Sequence, residues 1–245
     1  MKLIVYVGEQ KMSDTPRVIQ ADYLGSWNIG AFGIATDKFA LLGFGFRASV
    51  LENIKNVLRV PVITTSIMQE PIVGILVAAN SNGILIPKQT DENEVKRLRE
   101  SLADSSILVE KIVFKNFENA LGNLLLVNDK GCLIHESLIK NNKREIETIE
   151  DVLNVEIVGI NSKFLIMGTL AGVNNIGALV HPLLSEDEID VIKNVLKVRV
   201  EKGTINRGTP YIRSGVIVNS YGLVIGARST GIEVHRAYDI FLKES

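Results

Sequence analysis

A short pattern, Asn-x-x-Gly followed by an apolar run, recurs along this chain at almost constant spacing. Successive copies are 48, 46 and 45 residues apart, and a degenerate copy at Thr36 lies 44 residues before the first. A period of this length is typical of repeat architectures in which each unit is one supersecondary element. The complete copies begin at Asn80, Asn128, Asn174 and Asn219.

Each copy lies between two short apolar runs, as in residues 74–87 and 122–135. Such runs on both sides of a turn that contains Asn and Gly predict a β-hairpin. The Asn side chains are explained by turn chemistry alone. We expect the turn glycines to supply the positive φ of such a turn, at Gly83, Gly131, Gly177 and Gly222.

After each hairpin the apolar period changes to that of an amphipathic helix, as in residues 94–102. Ser185 and Glu188 match a capping box at the start of another helix, which extends to about Leu196. Corresponding helices are expected over 48–58, 148–153 and 233–242. Each helix leads into a further apolar strand, so that one unit is strand, strand, helix, strand.

A unit of about 45 residues cannot bury enough surface to fold alone, so neighbours must share a core. The last unit lacks a strand, and residues 17–24 offer a spare one that would close a ring. The sequence therefore predicts one α/β domain over 17–245, preceded by a mobile extension at 1–16. Its five units are expected near 25–67, 68–113, 114–162, 163–208 and 209–245, around a pseudo-fivefold axis.

Composition restricts the class of protein. The chain is 46% hydrophobic but only 6% aromatic, which fits strands that are buried on both faces. Its longest apolar stretches are far shorter than the roughly 20 residues that a membrane span needs. A single cysteine excludes an internal disulfide and indicates a reducing cytosol.

The net charge of −1 does not suggest a protein that coats nucleic acid. Residues 193–232 nevertheless contain seven basic side chains against one acidic side chain, Glu201. This stretch predicts either a basic sector that contacts phosphate over a limited area or an ordinary solvated face.

Catalytic equipment is scarce in the sequence. Cys132 and His135 invite a Cys-His interpretation, but Cys132 follows the hairpin turn at a position that is apolar in every other unit. We therefore predict a small buried residue there and structural roles for His135 and His181. The three histidines and one cysteine form no recognisable metal-ligand spacing, and no phosphate-binding loop is present.

Several segments resemble archaeal and eukaryotic translation initiation factor 6, the ribosome anti-association factor. The resemblance runs in order from about Arg17 to the end of the chain, and the chain length favours the archaeal form. The segments are Asn-Ser-Asn-Gly-Ile-Leu-Ile-Pro (80–87), Ala-Leu-Gly-Asn (120–123), Gly-Ala-Leu-Val-His-Pro (177–182) and Gly-Thr-Ile-Asn-Arg-Gly (203–208).

This resemblance implies a pentein fold, in which five quasi-identical α/β units surround a pseudo-fivefold axis. It implies binding to the large ribosomal subunit, through a ribosomal protein near the sarcin-ricin loop and with limited rRNA contact. Bound there, the factor blocks joining of the small subunit, and a role in large-subunit biogenesis is expected as well. No catalysis, cofactor or metal is expected, and the protein should be a cytoplasmic monomer.

The resemblance also identifies candidate ribosome-binding residues. Asn123 follows Gly122 where the first strand of the third hairpin should begin, and an exposed Asn at that rim can bond to a partner's backbone. Asn28 and Thr169 are expected at similar rim positions. Asn206 and Arg207 match another family motif, where Arg207 could bind a carboxylate or phosphate or the motif could simply form a turn between units.

Two further classes of function stay open at this point. Some enzymes that modify guanidines share the pentein architecture and use Cys, His and acidic residues in a central channel, so a hydrolase using Cys132 is the alternative. A scaffold for a different partner is the third possibility.

Overall fold

The computed structural model describes residues 17–103, 105–115 and 120–243, and the predicted extension at 1–16 lies outside them. The strands are β1 (Val18–Ala21), β2 (Gly33–Ala35), β3 (Ala40–Gly43), β4 (Val62–Thr65), β5 (Ala78–Ala79), β6 (Gly83–Pro87), β7 (Leu108–Ile112), β8 (Leu126–Val127), β9 (Cys132–His135), β10 (Ile157–Ile160), β11 (Ala171–Val173), β12 (Gly177–Val180), β13 (Arg199–Lys202), β14 (Val216–Val218) and β15 (Leu223–Gly226). The long helices are α1 (Ala48–Leu58), α2 (Glu92–Ser101), α3 (Lys143–Leu153), α4 (Glu186–Leu196) and α5 (Gly231–Leu242).

These strands form five separate three-stranded sheets. In each sheet an antiparallel hairpin pairs with a third strand that runs parallel to its second strand. In the first unit, Leu41 of β3 lies opposite Ile34 of β2 and Ile63 of β4. The helix crosses from the second strand to the third, so the predicted strand, strand, helix, strand unit is confirmed.

The fifth sheet combines the two ends of the described chain. Its order is β1-β15-β14, and β1 runs parallel to β15 with Val18 opposite Leu223. The guanidinium of Arg17 also donates to the carbonyl oxygens of Ser220, Tyr221 and Leu242. The five units therefore close into a ring, as predicted for the fold class.

Every unit begins with a single helical turn that the sequence did not predict. Each turn contacts the next, and together they form a closed circle around the axis, here called the turn ring. The turns are Ile29–Phe32, Val73–Leu76, Leu121–Leu124, Met167–Leu170 and Ile212–Gly215.

The ring has two chemically different ends. The turn end carries the turn ring, the loops that enter the long helices, and the helix N-termini. The Asn end carries the hairpin turns and the C-termini of the long helices. Both capping boxes lie at the turn end, Ser185 with Glu188 as predicted and Thr230 with Glu233 in the last unit.

The glycines of the hairpin turns do not have the predicted positive φ, which among described glycines occurs at Gly25, Gly45 and Gly208. The hairpin-turn glycines are required instead by the close approach of neighbouring units. A Cβ on Gly177 would lie 2.0 Å from the backbone oxygen of Ile240 in the next helix. Gly83, Gly131 and Gly222 face the oxygens of Val152, Val195 and Val57 in the same way.

The repeated Asn side chains join units as well as shaping turns. Oδ1 of Asn128 accepts from the backbone N–H groups of Lys130 and Gly131, at 2.9 and 3.2 Å. Its Nδ2 donates to the oxygens of Asn174 and Leu196 in the next unit, at 3.2 and 2.9 Å. Turn chemistry alone therefore does not explain these residues.

The same inter-unit bonds recur from Asn80 to Asn128, from Asn174 to Asn219, and from Asn219 to Thr36. Thr36 accepts from its own turn but directs its hydroxyl to Phe39 of the same unit. The chain of bonds around the axis thus runs in one direction and ends at Thr36.

The core consists of apolar clusters that each span two units. One cluster packs Leu85 of β6 against Leu121 of the next turn and Ile149 of α3. All three side chains are essentially inaccessible to solvent. Shared burial of this kind is what units too small to fold alone require.

Candidate partner-binding surface

Exposed apolar side chains are concentrated at one end of the ring. Of nine exposed large hydrophobic side chains among the described residues, seven lie at the turn end. The other two, Leu108 and Tyr221, lie at the Asn end. Exposed large apolar side chains that gather at one end of a protein favour an interaction site there. The seven are Leu24, Phe44, Leu165, Ile166, Leu183, Tyr211 and Ile232.

Three of the predicted site residues share this turn end. Asn123 is half-buried and lies inside a helical turn of the ring, not at the start of a strand. Thr169 occupies the equivalent position of the next turn, and its hydroxyl donates to the Ile166 oxygen at 2.8 Å. Asn28 is exposed directly before the first turn. The structure thus brings these three side chains to one face.

Gly122 is buried and offers no side chain to a partner. A Cβ at this position would lie 2.3 Å from the Gly74 oxygen and 2.6 Å from the Val77 oxygen. The glycine is therefore explained by the tight packing of one turn on the next.

Asn206 and Arg207 differ in accessibility. Asn206 is only 5% exposed, its Nδ2 donates to the Trp27 oxygen at 2.9 Å, and its backbone N–H donates to Ser229. It therefore serves as an internal bridge and is not available to a partner as expected. Arg207 is exposed, and its guanidinium has no hydrogen bond or ion pair to any described residue.

A buried carboxylate holds the backbone around Arg207. Glu233 accepts from the N–H groups of Arg207 and Gly208 at 3.1 and 2.8 Å, and from the Thr204 hydroxyl at 2.9 Å. Burial alone would raise the pKa of Glu233, but these bonds and that from Thr230 outweigh it and lower the pKa below its usual value. The turn that presents Arg207 is thereby fixed.

The same arrangement occurs in the second unit, where no sequence motif had indicated it. Glu94 is almost fully buried and accepts from the Ser66 hydroxyl and the Gln69 N–H. It supports a turn in which Met68 and Gln69, neither of them glycine, have φ of 57° and 64°. Turns at this end are therefore held by carboxylates beneath them, which gives the surface a defined shape.

Arg213 is a further residue that the sequence reasoning did not assign to a site. It occupies the position of the turn ring that is glycine in the other four turns, at Gly30, Gly74, Gly122 and Gly168. In all five units this position lies six residues before the Asn or Thr of the hairpin. Counting back from Asn219 would have found it, because the offset is the same in all five units.

The basic stretch between residues 193 and 232 does not form a single sector. Arg199 lies at the Asn end, where its guanidinium donates to the Asp239 oxygen. Lys202 pairs with Glu186, and Arg228 stacks on the Trp27 ring, 3.7 Å from its centroid. Of the seven, Arg207 and Arg228 are the exposed side chains at the turn end that have no ion pair among the described residues, so a phosphate contact from this stretch would be small.

The candidate thiol is enclosed in the core. Cys132 has no exposed surface, and burial, with a smaller contribution from Glu150, raises the pKa of its thiol far above the usual range. His135 does not reach it, since the imidazole bonds to Ser137 and Ser162. His181 packs between Phe164 and Tyr211. The predicted structural roles of these residues fit their surroundings.

The axis offers little room for a substrate. At the Asn end, Asn175 donates to both Asp37 and Asp129, and a cavity of about 20 Å³ lies beneath them. Such a cavity holds about one water molecule. Within the described residues, no group of three or more His, Cys, Asp or Glu side chains is arranged to hold a metal ion.

Known proteins resemble this chain over most of its length. The model of the eIF-6 family matches residues 18–240. Translation initiation factor 6 of Pyrococcus horikoshii is 36% identical over 214 residues, which cover 87% of this chain and 93% of that protein. Translation initiation factor 6 of Methanocaldococcus jannaschii is 35% identical over 219 residues, which cover 89% and 94%.

Solved structures with a similar arrangement include two of a dimethylarginine dimethylaminohydrolase, the second of them from Pseudomonas aeruginosa. Their sequence identities are 13% and 14%, and their TM-scores are 0.47 and 0.45 over 71% of this chain and 67% of theirs. Similarity at this level carries no inference about chemistry.

Across 17–103, 105–115 and 120–243, the structure has no helix long and apolar enough to cross a membrane.

Proposed function

Since this chain belongs to the eIF-6 family, whose archaeal members are named translation initiation factor 6, we propose that it binds the large ribosomal subunit and sterically prevents its association with the small subunit. A role in large-subunit biogenesis is part of the same proposal. The factor would act in the cytoplasm as a monomer, because a ring that binds one site needs no second copy.

The observation that carries this proposal is the asymmetry between the two ends of the ring. The turn end carries seven exposed large hydrophobic side chains together with Asn28, Asn123 and Thr169. Apolar surface with small polar groups among it suits a protein partner, which points to a ribosomal protein as the main contact. Arg207 and Arg228 lie near this surface and support limited contact with rRNA, near the sarcin-ricin loop.

Blocking by occlusion requires no chemistry, only tight binding and a rigid body. A standard protein interface buries about 1,600 Å² in total, which one end of this ring can supply. The remainder of the ring would then project from the large subunit with the Asn end outward. The inter-unit hydrogen bonds of Asn80, Asn128, Asn174 and Asn219 keep that body rigid.

No feature of the described residues favours the alternative hydrolase. The proposed nucleophile Cys132 is fully buried with a raised pKa, and His135 is bonded elsewhere. The axial cavity of about 20 Å³ at the Asn end is too small for a guanidine substrate. We therefore propose that the protein is not an enzyme.

Two tyrosines provide a matched test. Tyr211 at the turn end and Tyr221 at the Asn end have similar exposure, 45% and 42%. We expect Tyr211→Ala to weaken binding to purified large subunits by about tenfold, because Tyr is frequently an interface anchor, while Tyr221→Ala leaves binding unchanged. Asn123→Arg should abolish binding, since a long cation would enter the centre of the contact.

The measurement is cosedimentation with large subunits, followed by subunit joining at increasing factor concentration. Wild type and Tyr221→Ala should suppress joining in proportion to their occupancy. Failure of the wild type to bind large subunits, or joining that proceeds unhindered at full occupancy, would refute the proposal. Equal loss in both tyrosine variants would refute the assignment of the turn end as the contact.

A further inference from the structure

We propose that Arg213, at the centre of the turn ring, binds a carboxylate of an Asp or Glu side chain on the partner protein. The inference rests on the proposed function for the identity of the face, and on the surroundings of Arg213 for the site itself. It adds a specific anion contact at the axis of the ring, which neither the repeat pattern nor the exposed apolar side chains would indicate.

The first observation is the break in the repeat. Where four turns have glycine, the fifth has the longest cationic side chain. Nε and Nη2 of Arg213 donate to the Gly74 oxygen, and Nη2 also donates to the Val77 oxygen, each at 3.3 Å. The side chain therefore reaches from the fifth unit to the second and places its guanidinium on the axis.

The second observation is that this charge is unmatched. The guanidinium has only backbone carbonyls as partners, and no described carboxylate pairs with it. Burial lowers its pKa to about 10, so that it stays charged at neutral pH. A partly buried charge without a counter-ion carries a desolvation cost, and an arriving carboxylate would relieve that cost.

The third observation is that donors remain available. Nη1 has no hydrogen-bond partner among the described residues. The described side-chain atoms that are both fully enclosed and without a partner are Thr90 Oγ1 and Glu94 Oε2, so Nη1 keeps some exposed surface. The residue as a whole is half-buried. Its free N–H groups can therefore reach an anion that approaches along the axis from the turn end.

The surroundings select a carboxylate on a protein over a nucleic-acid phosphate. The next position of each turn around the axis is half-buried and uncharged, so Arg213 is a single cation in a neutral rim. Nucleic-acid binding draws on several cations at once, whereas one guanidinium matches one carboxylate in geometry and charge. The five rim residues are Ala31, Ile75, Asn123, Thr169 and Ser214.

A first experiment tests the site in the free protein. The Nε–H resonance of Arg213, assigned by its absence in Arg213→Lys, is followed by NMR during titration with sodium acetate, with sodium phosphate and with sodium chloride at matched ionic strength. We expect a saturable shift with acetate and none with chloride. No saturable shift with acetate, or saturation by phosphate at a tenfold lower concentration than by acetate, would overturn the assignment.

A second experiment tests whether Arg213 contributes to binding of the large subunit. Arg213→Met keeps an apolar side chain of similar length on the axis but removes the charge, and Arg213→Lys keeps the charge but not the planar fork. We expect Arg213→Met to bind large subunits at least tenfold more weakly than wild type, with Arg213→Lys in between. Melting temperatures near that of wild type would show that both variants keep the ring intact.

The outcomes separate this proposal from the proposed function. Wild type that binds large subunits while Arg213→Met binds equally well overturns the carboxylate contact and leaves the function standing. Wild type that fails to bind overturns the function, and the acetate titration then decides the site alone. If Arg213→Met does not fold, Arg213→Lys takes its place. The contact is overturned if Arg213→Lys folds and binds large subunits as tightly as wild type, while wild type shows no response to acetate.

Discussion

Asn128 makes hydrogen bonds within its own turn and hydrogen bonds to the next unit, and substitutions can separate the contributions of the two sets to stability. Asn128 is 5% exposed and makes two bonds of each kind. A buried hydrogen bond contributes about 1 kcal/mol net, so Asn128→Ala should cost about 4 kcal/mol. Thr36 shows that a threonine can keep the turn bonds, so Asn128→Thr should cost about 2 kcal/mol.

For a chain of this length, 1 kcal/mol corresponds to about 2–4 °C in melting temperature. We therefore expect a fall of about 8–16 °C for Asn128→Ala and about 4–8 °C for Asn128→Thr, measured by far-UV circular dichroism and checked by urea unfolding. Asn161 is exposed, and Asn161→Ala should change the free energy of unfolding by less than about 0.5 kcal/mol.

Two results would refute this reasoning about Asn128. If Asn128→Thr is as stable as wild type, the bonds to the next unit contribute nothing, and the ring is held by apolar burial alone. If Asn128→Thr is as unstable as Asn128→Ala, the turn bonds contribute nothing, and the interpretation of Thr36 as a partial substitute is wrong.

Two other predictions concern close packing and pH. Gly177→Ala should destabilise the protein by about 2–4 kcal/mol in urea unfolding, because its Cβ would meet the Ile240 oxygen. Gly231→Ala should be neutral, since a Cβ there meets nothing within 4 Å. Equal effects of the two substitutions would contradict the packing argument. Because the pKa of Glu233 is lowered on folding, its stabilisation is present above the usual value of 4.5 and is lost as the pH falls through the folded-state pKa. The stability difference between wild type and Glu233→Gln should therefore be largest near neutral pH and shrink below about pH 4.5, and a difference that is constant with pH would contradict it.

The unit and the hairpins were predictable because the strand period is a local pattern, and the ring was predictable because the Asn spacing and the spare strand at 17–24 can both be read along the chain. The capping box at Ser185 was predictable for the same reason. The helical turns before each hairpin were not, since four apolar residues such as Val-Gly-Ile-Leu are indistinguishable from the start of a strand. The third helix begins at Lys143, before its predicted start, because its first three residues are charged and carry no apolar side chain.

The contacts between units could not be predicted from one unit at a time. Gly131 has the sequence context of a turn glycine, but the requirement for it comes from the Val195 oxygen of another unit. Asn206 has the context of an exposed turn, yet Trp27, far away in sequence, accepts its hydrogen bond. Of the predicted site, Asn28, Asn123, Thr169 and Arg207 are accessible at one end of the ring, and their ribosomal contact stays a prediction.

The one-way chain of Asn bonds has a consequence for how the ring would come apart. Four junctions carry an amide clasp, whereas the junction from Thr36 to Asn80 has none, although the backbone there is continuous. A groove of about 560 Å³ between β4 and α2 lies at that same junction. Apolar packing holds this junction without the amide bonds of the other four. We therefore expect mechanical opening of the ring to begin there instead of at the seam where the two ends of the described chain meet.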